Sequence, residues 1–314
     1  MRVLVTGASG FVGPHVCAAL AEAGHDVVAA ARRAPHVPGA DPVILDVTDP
    51  QTIRTALSEV RPQSVVHLAG DAGAGGSWDR LARTMTVNAI GAGNLLAEVA
   101  AVVPEARVLL VGTAHQYGGD QGRALRESDP LSPASPYAVG KAAQEMLGAA
   151  WAARGLRVVM TRSFNHTGPG APRSTAAGAF CAQIADIEAG RAPPVIRTGD
   201  LSRERDFIDV RDVAGAYRTL LERGEDGQVY NVGSGRARAV SEILRLAVDA
   251  SSLARDGLTV EEAPGPSGGR TGDPVRLVAD IRRVSGLGWQ PSIDLQRSIE
   301  DTLDSHRAII AARP

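Results

Sequence analysis

A glycine loop closes a strand and opens a helix within the first thirteen residues of this chain. Arg2-Val3-Leu4-Val5-Thr6 is short and mostly apolar, and Gly7-Ala8-Ser9-Gly10-Phe11-Val12-Gly13 follows at once. Gly7 permits a tight turn. Gly10 lets the backbone come close to a pyrophosphate, and Gly13 allows a helix to pack tightly on the strand. A phosphate held this way sits on free N–H groups at the positive end of the helix, with Phe11 and Val12 completing the loop. Glycine spacing alone is weak evidence. A strand before it and a helix after it supply the context the motif needs.

The rest of the first half repeats that alternation. Short apolar runs at 2–6, 26–31, 42–45, 64–68, 107–111 and 156–162 predict strands. Helical patterns at 11–23, 50–60, 81–102 and 136–153 lie between most of them. Strands apolar nearly throughout belong to a parallel sheet covered on both faces. The expected fold is α/β, a Rossmann-type doubly wound parallel sheet, with residues 1–165 as its domain. Residues 166–314 predict a smaller, mainly substrate-binding α/β lobe, with some C-terminal segments returning to the sheet. Helices are expected there at 175–189, 210–223, 241–250 and 295–311, with short strands near Val229 and Leu258. The Gly- and Pro-rich stretch 264–274 reads either as a surface loop or as a substrate lid.

Composition narrows the function. A formal net charge of −2 argues against a chain that lives on nucleic acid or an anionic membrane. No apolar stretch is read as long enough for a membrane span, and the strand pattern starts too early for a signal peptide. Cys17 and Cys181 stand in no metal or redox spacing, so core thiols in a reducing cytoplasm are expected.

The second predicted strand ends Ala31-Arg32-Arg33, with no carboxylate before Asp41. An acid there would bind the ribose 2′-OH of NAD, whereas arginine suits the 2′-phosphate of NADP(H). The basic pair otherwise reads as a solvated loop. Asp46 and Val47 are expected beside the adenine, and Leu68, Ala69 and Gly70 beside the cofactor. Ser135-Pro136-Tyr137-Ala138-Val139-Gly140-Lys141 carries the chemistry. Ser135 can cap a helix that Pro136 begins, and Tyr137 and Lys141 then share one face. A neighbouring ammonium lowers the pKa of a phenol, which equips it to exchange a proton at a carbonyl. Thr113 is expected at the carboxyl end of the fifth strand, where it can bond a substrate oxygen or simply satisfy backbone.

With these motifs assembled, the chain resembles the extended short-chain dehydrogenase/reductases, the NAD-dependent epimerase/dehydratase family. The resemblance implies a Thr113, Tyr137, Lys141 triad, with Asn88 and Phe164 on the cofactor side. Arg162-Ser163-Phe164-Asn165-His166-Thr167-Gly168-Pro169-Gly170 and Arg205-Asp206-Phe207-Ile208-Asp209-Val210-Arg211-Asp212 are similar to blocks of GDP-4-keto-6-deoxy-mannose reductases. That similarity implies Asn165, Arg205 and Arg270 on the phosphates of a nucleotide-diphosphate sugar. Arg205 otherwise pairs with Asp206 or Asp209.

Two departures shape the expected activity. Sugar-nucleotide dehydratases carry a glutamate, often after an aspartate, where this chain has Ala114 and His115. Dehydration therefore gives way to simple reduction of a 4-keto-6-deoxyhexose by NADPH. The reductases themselves commonly read Ser-Glu-Glu here, so His115-Gln116 departs from them too. His115 either contacts the sugar or is a polar rim residue. The rivals are an epimerase on the same scaffold and a non-catalytic NADP sensor. The family also implies a homodimer through helices 81–102 and 136–153.

Overall fold

The computed structural model describes residues 1–72, 76–119, 122–253, 257–262 and 275–312. Arg270 and the whole of the 264–274 stretch lie outside them. In chain order the first half runs β1 (Arg2–Thr6), α1 (Gly13–Glu22), β2 (Asp26–Ala31), β3 (Asp41–Ile44), α2 (Pro50–Val60) and β4 (Ser64–His67). It continues with α3 (Leu81–Met85), a π-helical turn (Thr86–Ile90), α4 (Gly91–Val102), β5 (Arg107–Thr113), α5 (Pro136–Ala153) and β6 (Val158–Ser163). The second half holds β7 (Asn165–Thr167), α6 (Ala176–Glu188), β8 (Val195–Thr198), β9 (Glu204–Asp209), α7 (Val210–Arg223) and β10 (Val229–Val232). After these come β11 (Ala237–Ala239), α8 (Val240–Asp249), β12 (Thr259–Glu262), β13 (Arg276–Leu277), α9 (Arg282–Ser285) and α10 (Leu295–Ala311).

Seven parallel strands form one sheet in the order β10-β6-β5-β4-β1-β2-β3. The pleat divides each strand between two cores. Val3 and Val5 face α1 and α7, with Leu20, Val213 and Leu220. Leu4 faces the other layer with Ile53 and Leu57 of α2 and Leu95 of α4. Helix starts follow the caps in the sequence: Ser135 accepts from the Ala138 N–H, Asp209 from Arg211 and Asp294 from Gln296. Cys17 and Cys181 are buried free thiols, pushed up to about 11 and about 12 by burial, so both are inert core side chains.

One expectation needs correction. Leu81–Val102 is a single run of 22 residues, long and apolar enough to cross a bilayer. Leu95, Leu96 and Val99 are spent in the core, where they pack against α2 and the sheet.

The rim bears out the strand expected near Leu258 as β12, and carries others, β7, β8, β9, β11 and β13, that local pattern did not reveal. β11, β9 and β13 form a small sheet in which β7 also pairs with β9, and β12 pairs with β8. Phe180, Ile184, Ile243, Ile299 and Leu303 form its apolar centre.

Candidate active site

The carboxyl ends of β1, β2, β4, β5 and β6 open onto a cavity of about 1390 Å³. The glycine loop forms one wall. Gly7 has φ +70°, and a Cβ there would lie 2.6 Å from the Ala69 nitrogen. A Cβ on Gly13 would lie 2.2 Å from the Ala8 carbonyl oxygen. Both steric demands fit the roles read from the sequence. No side chain caps α1, which leaves first-turn N–H groups for an anion. The cradle therefore fits a dinucleotide pyrophosphate.

Behind the loop, Thr6 Oγ1 accepts from the Ala69 N–H at 3.3 Å and bonds His67 Nδ1 at 2.8 Å. This pins Leu68, Ala69 and Gly70 against the glycine turn, and all three line the cavity. Burial, helped by the nearby Lys141 charge, pulls His67 down to about 3, so it stays neutral. Asp46, Val47 and Arg32 also line the wall. The Asn94 amide donates to the Val47 carbonyl at 3.1 Å and steadies that corner. Arg33 is exposed and absent from the cavity wall, in the bend that follows β2.

Asn88 does not line the cavity either. Its Oδ1 accepts from the Asp71 N–H at 2.8 Å, and its Nδ2 donates back to the Asp71 carbonyl at 3.3 Å. It lies in the π-helical turn, fully buried beneath Gly70, and acts on the wall from behind. Arg80 bonds the Asp71 carboxylate at 3.1 Å, and Thr84 bonds it at 2.8 Å. Asp71, Arg80 and Arg83 line the cavity, and the sequence reading missed all three. The glycines of 70–76 before them were the available signal.

Thr113, Tyr137 and Lys141 meet on one side. Close packing makes this possible, since a Cβ on Gly148 of α5 would lie 2.6 Å from Leu110 Cδ1. The Thr113 side chain faces the Tyr137 phenol. Lys141 is buried, donates to the Val111 carbonyl at 2.8 Å and to Gln144 Oε1 at 3.0 Å, and burial pulls it down to about 8. The expectation that Lys141 depresses the Tyr137 pKa is corrected here. Burial pushes the phenol up, the Thr113 hydroxyl opposes that shift, and the ammonium is held by Val111 and Gln144. Tyr137 thus rests as a phenol holding its proton. The His115 ring meets Tyr137 edge-on at 6.3 Å and lines the cavity.

The far end belongs to the rim. Asn165 registers with Phe207 on the parallel pair β7 and β9. Arg205 stands two residues earlier, so the pleat sets all three on one face, and all three line the cavity. Arg205 is buried and donates to the Glu204 carbonyl at 2.8 Å. It pairs with neither Asp206 nor Asp209, which bond Ser234 and Arg211 respectively. Phe164 and His166 complete this end, with Ser163 and Tyr217 bonded to each other at 2.6 Å.

A model of the NAD dependent epimerase/dehydratase family matches residues 3–233. The chain belongs to that family. GDP-6-deoxy-D-mannose reductase of Pseudomonas aeruginosa is 34% identical, with 96% of each chain covered. The structure of RMD from Pseudomonas aeruginosa complexed with NADPH superposes with TM-score 0.83 at 31% identity, covering 98% of this chain and 99% of that one. A UDP-glucose 4-epimerase from Thermotoga maritima, solved with UDP-glucose, gives TM-score 0.85 at 25% identity, covering 99% and 100%. The chain is an oxidoreductase of this family, with a nicotinamide dinucleotide as cofactor.

Proposed function

We propose that this protein uses NADPH to reduce the C4 keto group of a nucleotide-linked 4-keto-6-deoxyhexose, a GDP- or dTDP-sugar. The observation that carries the reading is one cavity with Thr113, Tyr137 and Lys141 between a dinucleotide cradle and a rim bearing Asn165 and Arg205. Likeness to a GDP-6-deoxy-D-mannose reductase along 96% of the chain supports it. Residues 1–165 hold the cofactor, and 166–314 mainly hold the substrate.

Gly7, Gly10, Phe11, Val12 and Gly13 hold the pyrophosphate, Asp46 and Val47 border the adenine, and Leu68 to Gly70 and Phe164 border the rest. Arg32 pairs with the 2′-phosphate, and likeness to an NADPH complex supports that choice. When bound, the nicotinamide supplies the hydride. The Thr113 hydroxyl bonds the C4 oxygen and orients it. Tyr137 gives its phenolic proton to that oxygen as negative charge develops. Its raised proton affinity keeps it loaded as an acid. The Lys141 ammonium holds the ribose. Asn165 and Arg205 bind the sugar-nucleotide diphosphate, and His115 contacts the sugar. Ala114 and His115 stand where dehydratases carry their aspartate and glutamate, so the carboxylate pair that dehydration uses is missing.

A homodimer through α3, α4 and α5 belongs to the same proposal. Leu81, Ile90, Val139 and Met146 are exposed apolar side chains of these helices and the intervening turn. Light scattering is expected to give twice the chain mass.

The activity test is NADPH consumption with freshly made GDP- and dTDP-4-keto-6-deoxy sugars, with NADH as control. Oxidation with one sugar establishes the reductase and its nucleotide. Silence with both, together with stoichiometric NAD on the purified protein, would turn the reading to an epimerase. Silence with NADPH binding retained would turn it to another carbonyl substrate or a sensor.

A further inference from the structure

Behind Thr113 runs a largely buried chain of polar side chains that does not line the cavity. The Thr113 backbone N–H donates to Gln116 Oε1 at 2.9 Å. Gln116 is fully buried, and its Nε2 donates to Glu145 Oε2 at 2.7 Å. Glu145 lies on α5, eight residues after Tyr137 on the same helix. Arg162 of β6 grips both oxygens of that carboxylate, Nε to Oε2 at 2.9 Å and Nη2 to Oε1 at 2.7 Å. Its guanidinium also stacks on the Tyr117 ring at 4.7 Å and donates to the Glu127 carbonyl at 3.1 Å. Gln116, Glu145 and Arg162 are all absent from the cavity wall. The strand is trimmed to let this happen, since a Cβ on Gly112 would lie 2.5 Å from Gln116 Oε1.

We infer that Gln116, Glu145 and Arg162 form a positioning relay that sets Thr113 against the helix carrying Tyr137 and Lys141. Two clamps then join β5 to α5. Lys141 and Gln144 grip the Val111 carbonyl, and Gln116 and Glu145 grip the Thr113 N–H. The relay rests on the proposed role of Thr113 as the residue that orients the substrate oxygen. It also explains why an amide stands at 116. A glutamine accepts the backbone N–H with one atom and donates to a carboxylate with the other. An ionised glutamate could only accept, and it would set a second buried carboxylate directly against that of Glu145. The charged or titratable groups facing position 116 are Glu145 and Lys141 from α5, Arg162 from β6, His115 and Tyr117 from its own turn, and Glu127 from the segment before α5.

The test is Gln116→Glu, which keeps size and shape. While the new carboxyl is protonated it can still donate to Glu145, and on ionising it must push that carboxylate away. The expected result is a kcat within about threefold of wild type near pH 6, falling about tenfold or more by about pH 9, with KM for NADPH steady within about twofold. Gln116→Met, which makes neither bond, is expected to lose kcat across the whole range. A second readout needs no substrate. With ¹⁵N-threonine labelling, the Thr113 amide resonance of Gln116→Glu is expected to move in one step with pH and to stay still in the wild type. An amide that moves while no keto sugar is reduced keeps the relay and removes the reductase reading. A folded Gln116→Glu protein whose Thr113 amide does not titrate overturns the relay. So does a loss of kcat that merely tracks loss of folded protein in circular dichroism.

Discussion

Thr113 and the glycine loop stand at the ends of parallel strands buried on both faces, whereas Asn165 and Arg205 stand on a small rim sheet pinned by buried carboxylates. Asp206 accepts from Ser234 N at 2.7 Å, Ser234 Oγ at 2.7 Å, Gly235 N at 2.9 Å and Ala279 N at 3.1 Å. Asp209 takes Arg211 and Ser298, and Asp212 takes Ser292 and Ile293. Around the glycine loop, and away from the polar relay behind Thr113, position on the sheet side comes mainly from backbone ladders and apolar packing, which tolerate substitutions of similar volume. On the rim it comes from polar knots between distant segments, where one missing acceptor leaves several buried donors unpaired. The sheet side should therefore bend under mutation where the rim breaks.

The largest effect expected in testing that contrast is at the chemistry both halves share. Tyr137→Phe should lower kcat by about a hundredfold or more while NADPH still raises the melting temperature. Full turnover would remove Tyr137 as the proton donor. Next comes the sheet side alone. Arg32→Ala should raise KM for NADPH by about ten- to a hundredfold, the value of a charge-assisted bond, and leave NADH unchanged. Equal losses with both cofactors would mean that Arg32 does not read the 2′-phosphate. On the rim, Asp206→Ala should cost about 1–3 kcal/mol in urea unfolding and raise the sugar KM, with NADPH affinity steady within about twofold. Equal damage to both ligands would erase the distinction between the halves.

The smallest effect is one of pH. His67 is held neutral, at about 3 rather than its usual 6.5. In that interval the unfolded chain binds a proton that the folded chain refuses. Its contribution to stability is therefore complete above about 6.5 and lost as pH falls toward about 3. His67→Asn should flatten the acid side of a plot of stability against pH. An unchanged slope would assign acid sensitivity elsewhere, with His166, half-buried on the cavity wall and pulled down to about 4 by desolvation, the next group to vary.

The same contrast explains what could be read in the chain beforehand. Helices α5, α7 and α10 were legible to the residue; Ser135 announces the first, and the structure shows Asp209 and Asp294 capping the other two. The glycine loop was legible because each glycine has a backbone reason for its spacing. Strand β9 was not, because Glu-Arg-Asp-Phe-Ile-Asp looks solvated and is largely buried. Its partners come from up to 89 residues away, beyond the reach of any local pattern. Arg32 and Arg33 were indistinguishable as letters, and only the end of β2 separates them. The proton affinity of Tyr137 was misjudged because spacing shows that Lys141 is near but not that its ammonium is already engaged.

The place of β10 bears on how the protein is made. Val229–Val232 closes the outer edge of the seven-stranded sheet against β6, although the cofactor loop was synthesised more than two hundred residues earlier. Until that segment leaves the ribosome, β6 presents an unpaired rim of N–H and C=O groups, a template for pairing with the wrong chain. The nucleotide-binding half cannot complete itself first and wait for its companion. Maturation of the whole enzyme hangs on four residues from the far side of the molecule, and a nascent chain stalled before them is the species most exposed to aggregation.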